Sequence, residues 1–178
     1  MLKSITLNLE VIESMLYYWS SMADREKVAE SFFVDIANMD AMKLVQSPEF
    51  DEESIRKVLS AIQNRELLSN ATKPEKRFWS KNMWIADDSS LASKMAQPIK
   101  VMNVDDLVAR LNEKYPDIKQ EKIIVHIAPL HLDPYYIVDG QLVMNFFKIY
   151  FDQEDNVMFE DMPIKEYIFE RLCELVEK

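Results

Sequence analysis

A chain of 178 residues with 48% hydrophobic and 29% charged side chains has the composition of a folded globule, long enough to bury roughly 70% of the surface its unfolded form exposes. Thirty-one acidic against 21 basic residues leave a formal charge of −10, which repels phosphate backbones and anionic lipid heads across a screening length of roughly 8 Å. Nucleic acid and membrane are therefore disfavoured as partners.

Cys173 is the single cysteine, so no internal disulfide forms and a reducing compartment fits. Asn8, Glu10 and Glu13 interrupt what would have to be an apolar leader core, so no signal peptide is expected and the cytoplasm is the expected location. Average usage near 7% would place about twelve glycines in a chain of this size, and only Gly140 is present. Phosphate-cradling loops need glycine where backbone meets ligand. The dinucleotide fingerprint, the P-loop and the GxSxG elbow are all absent, and no cofactor is expected.

In chain order, residues 2 to 23 place Leu2, Ile5, Leu9, Ile12, Leu16 and Trp19 on one helical stripe. Ile5, Leu7, Leu9 and Val11 also alternate as in a strand, and helix is the favoured reading. Asp24 is expected to cap a second helix carrying Val28, Phe32, Ile36 and Met39, and Ser47-Pro48 to open a third with Ile55, Val58, Leu59 and Ile62 inward. Thr72 to Glu75 has capping-box spacing and opens a helix through KRFWSKNMW. Another short helix starts at Asp88 or Ser89 and is expected to stop at Pro98. IKVM at 99–102 then reads as a strand, Asn103 to Tyr115 as a helix and KIIVHIA at 122–128 as a strand, together a β-α-β unit. YYIV and QLVMNFFKIYF flank Asp139-Gly140, the signal for a type I′ hairpin. DQEDN turns into VMFED, and Pro163 starts a final helix with Ile164, Ile168, Leu172 and Leu175 inward.

These elements predict an α+β fold, an N-terminal helical lobe packed on a mixed sheet of about five strands with helices on both faces. Residues 1–96 form the helical lobe and residues 97–178 an α/β lobe, the two making one compact unit. The 141–151 strand is apolar on both faces, so both must be covered. Helices suffice for this; a homo-oligomer interface over part of one face is the alternative.

Three groups of residues invite a chemical reading. His126, His131 and Asp133 supply metal-ligand types within eight positions, as a metal-assisted hydrolase would need, although zinc also requires an oriented second shell. The competing reading is a buried, hydrogen-bonded His126 and a loop His131, and it is favoured. Cys173 sits near the end of the last helix rather than at an N-terminus, where reactive thiols concentrate, and reads as core. In KPEKRFWSKNMW, cations alternate with aromatics, which suits a protein hot spot or single-stranded nucleic acid; Lys76, Arg77, Phe78, Trp79 and Trp84 are the candidate binding residues. From Asp152 to Lys178 there are nine acidic and three basic residues, a surface that attracts a basic partner. The expected function is a protein-binding or inhibitor-type interaction module with an acidic surface, rather than an enzyme.

Overall fold

A computed structural model describes all of residues 1–178. Strand β1 (Ser4–Asn8) leads directly into helix α1 (Glu10–Ala23), then α2 (Glu30–Ala37), α3 (Asp40–Leu44), α4 (Glu52–Gln63), α5 (Lys73–Ala86), α6 (Ser89–Val101) and α7 (Asp105–Lys114). Strands β2 (Lys122–Ala128), β3 (Tyr135–Val138) and β4 (Gln141–Asn145) follow, then a 3-10 turn at Phe146–Lys148. Strands β5 (Ile149–Phe151), β6 (Val157–Phe159) and β7 (Met162–Pro163) lead into helix α8 (Ile164–Glu177). The fold is α+β, with two sheets where one had been expected. The larger is mixed, in the order β1-β2-β4-β3, and the smaller is an antiparallel β5-β6-β7 meander.

The first strand corrects the helical reading of residues 2 to 8. Ile5 pairs in register with Ile123 and Asn8 with His126, parallel to β2. The side chain of Asn112 on α7 extends the pairing by accepting from Leu2 N at 2.9 Å and donating to Leu2 O at 2.8 Å, which satisfies backbone groups beyond the ladder. The β-α-β unit therefore begins at β1, with seven helices in its crossover. IKVM is not a strand, because α6 continues through Pro98 to Val101, with Ile99 buried and Val101 70% exposed. Asp24 ends α1 instead of starting α2, and Asp51 rather than Ser47 caps α4, accepting from Ser54 N at 2.9 Å. The long strand after Gly140 breaks at the 3-10 turn, where Asn145 Oδ1 accepts from Phe147 N at 3.1 Å.

Helices cover both faces of the larger sheet. Consecutive strand residues point to opposite sides: Tyr135 donates its hydroxyl to Glu174 of α8 at 2.8 Å, while Tyr136 lies 6.0 Å from the ring of His131, which stacks on Phe50 between α3 and α4. Helix α7 joins α8 on its side through the Arg110–Glu166 pair. Trp19 of α1 stacks on Phe146 at 5.8 Å, and its indole donates to Asn82 of α5 at 3.0 Å.

Glycine scarcity is met by other residues at positive φ. Asp139 (φ 52) and Gly140 (φ 71) form the hairpin turn as a type I′ geometry requires. Helices α1 and α4 each end in a Schellman motif: Glu26 N donates to Ser21 O and Glu66 N to Ala61 O, with Arg25 (φ 59) and Arg65 (φ 56) where glycine is usual.

Candidate functional site

Helix α5 is built by its first turn. Thr72 Oγ1 accepts from Glu75 N at 3.2 Å, Glu75 Oε1 accepts from Thr72 N at 2.9 Å, and Pro74 occupies the opening turn. Lys57 Nζ lies 3.2 Å from Glu75 Oε1 and neutralises this largely buried carboxylate, which burial alone would destabilise. Burial pushes the Glu75 carboxyl up, and hydrogen bonding from Ser54, Thr72 and Lys57, with the Lys57 charge added, outweighs it and holds the carboxyl below its ordinary range.

Helical periodicity sorts the rest of α5 into three strips. Phe78, Asn82 and Ile85 are buried, with Phe78 edge-on to Phe50 at 5.1 Å. Trp79, Met83 and Ala86 are half-buried and form one wall of a cleft of about 410 Å³, completed by Met22 at the end of α1, by Ala61 and Ile62 at the end of α4 and by Leu67 in the loop that follows it. Lys73, Lys76, Arg77, Lys81 and Trp84 face solvent. None of those four cations is in a salt bridge; Lys81 instead sits 5.8 Å from the centre of the Trp84 ring.

The five binding residues expected from sequence thus divide. Lys76, Arg77 and Trp84 (47% exposed) lie on the outer face, Trp79 lines the cleft with its indole nitrogen buried and unpartnered, and Phe78 belongs to the core. The cleft's other walls were not anticipated. Their one visible signal was Leu67 in the polar stretch NRELLSN, and it is 93% exposed.

The histidines occupy separate environments. His126 is fully buried on β2, with Nδ1 3.1 Å from Asn8 Nδ2 on β1 and Nε2 2.7 Å from Gln141 Oε1 on β4. The Nε2–H tautomer satisfies both contacts, accepting from Asn8 and donating to Gln141, so neither nitrogen is free for a ligand. His131 is 5% exposed and lies against Phe50 at 3.9 Å with Nδ1 unpartnered. Burial pushes it down to about 4, against a smaller upward pull from Asp133. No group of three or more His, Cys, Asp or Glu side chains is placed to hold a metal ion. Cys173 is buried, with Lys114 Nζ 3.7 Å from its sulfur. No helix is long and apolar enough to cross a membrane.

No protein-family model, curated protein or solved structure matches this chain.

Proposed function

We propose that this chain is a cytoplasmic protein-binding module that engages its partner through the outer face of α5 and the cleft beside it. Such a module acts by occupying its partner, as an inhibitor does, rather than by catalysis. One observation carries the reading: a helix face with four unpaired cations and an exposed tryptophan runs beside an apolar cleft, in a protein of formal charge −10. Tryptophan and arginine dominate interface hot spots, and an apolar cleft beside them offers a partner side chain a place to be desolvated. The remaining carboxylates keep the molecule soluble and repel nucleic acid.

Affinity capture from the native cell with quantitative mass spectrometry tests this. A specific protein should be retained by the unaltered chain and lost on Trp84→Ala combined with Arg77→Ala. A hot-spot loss of about 2 kcal/mol corresponds to roughly 30-fold weaker binding. Identical retained proteins with the double variant would remove α5 as the binding face.

A further inference from the structure

We infer that the element docking on this surface is an acidic amphipathic helix, with its apolar side chains in the cleft and its carboxylates on the α5 cations. The inference rests on the protein-binding reading above and adds the partner's chemistry. It also reverses the sign expected from net charge, since a protein of charge −10 attracts basic partners at long range.

At contact range the local charges decide. Lys73 with Lys76 and Arg77 with Lys81 pair at helical spacings of three and four positions on the exposed side, with Lys76 and Arg77 adjacent. Neighbours on such a face lie roughly 5–6 Å apart, so each cation has another within a screening length of roughly 8 Å, while charges on the far side of the molecule are largely screened. The one acidic residue inside this stretch of α5, Glu75, is buried and held by Lys57. A helix end adds a further cation: Arg65 lines the cleft and is in no salt bridge. Glu66 and Asp87 also line it and are the local opposition.

Geometry selects the rest of the ligand. Trp79 and Met83 are four residues apart and form an apolar wall, while Lys76, three before Trp79, continues the same side of the helix into the cationic face. An apolar strip bordered by a charged strip, both parallel to a helix axis, is complementary to a second helix with apolar residues at i, i+3 and i+4 and carboxylates beside them. Single-stranded nucleic acid would meet the cations and Trp84, but its sugars and bases offer no long aliphatic side chain to fill a cleft walled by Met22, Ala61, Ile62 and Met83.

The test uses the full chain and three probes: an 18-residue amphipathic peptide with a leucine face and glutamates on its flanks, the same peptide with lysines replacing the glutamates, and a 15-nucleotide oligo(dT). Fluorescence anisotropy should give binding of the glutamate peptide at least tenfold tighter than of the other two. Lys76→Glu with Arg77→Glu, both exposed, should invert the preference between the peptides. Ala86→Glu on the cleft wall should weaken the glutamate peptide at least tenfold, with Met83→Ala as a milder second variant; thermal unfolding of each variant reports folding separately. Equal or tighter binding of the lysine peptide or of oligo(dT), no binding of any probe, or glutamate-peptide binding indifferent to both cleft variants each overturns the inference. Cellular capture dependent on Trp84 and Arg77 would survive those outcomes, so the wider reading fails only in its own experiment.

Discussion

His131 stacks on Phe50 with a ring nitrogen that has no partner, a position that tolerates imidazole and penalises imidazolium. Its pKa falls to about 4 in the folded chain, against about 6.5 unfolded. The unfolded chain therefore takes up the proton first, and stability present above pH 6.5 is lost as pH falls towards 4, by about 3 kcal/mol in all. The carboxylates held low by hydrogen bonds and ion pairs, such as Glu75 and Glu166, begin to titrate only below their ordinary range. His131 therefore contributes across the interval from about 5 to 6.5. Urea midpoints across that interval should fall less steeply in His131→Phe, which keeps the aromatic stack, than in the unaltered chain; parallel slopes would mean that His131 is readily charged where it sits. His126, tied to Asn8 and Gln141, instead joins three strands through side chains on one face.

Among the elements, α5 depends most visibly on a single side chain. Thr72 closes the capping box and also donates Oγ1 to Glu49 O at 2.7 Å, joining the helix to the turn before α4. Thr72→Ala should cost about 1–2 kcal/mol, read as a lower urea midpoint with an unchanged m-value, and Thr72→Ser should recover most of it. This capping box was legible because its signals lie within four residues, as were β2, the β3–β4 hairpin and the buried positions of α4 and α8. Pro98 was misleading because a proline removes one hydrogen-bond donor without forbidding the turn that follows, and the amphipathic pattern of α6 carries Ile99 inward. Half of the candidate site was equally local, the cations and tryptophans of one helix. The cleft was not legible, since Met22, Ala61 and Trp79 meet only after three helix ends converge.

For the molecule as a whole, β1 is the decisive placement. Its residues alternate like a strand and also fit a helical stripe, so local pattern could not choose. The choice is made by β2, whose Ile123 lies 118 positions from Ile5 along the chain and beside it in the sheet. Closing a loop of that length costs entropy that only the completed ladder offsets, so contacts within the helices and the β3–β4 hairpin should form before β1 docks. Ile5 is 5% exposed, and Ile5→Ala should destabilise by about 2–4 kcal/mol. If docking is late, almost all of that change appears as faster unfolding, with the refolding rate nearly untouched, whereas Leu59→Ala inside α4 should slow refolding. Stopped-flow chevrons separate the two cases. A refolding limb slowed by Ile5→Ala as strongly as by Leu59→Ala would place the β1–β2 pairing in the folding nucleus, with the seven-helix crossover assembled around a sheet already closed.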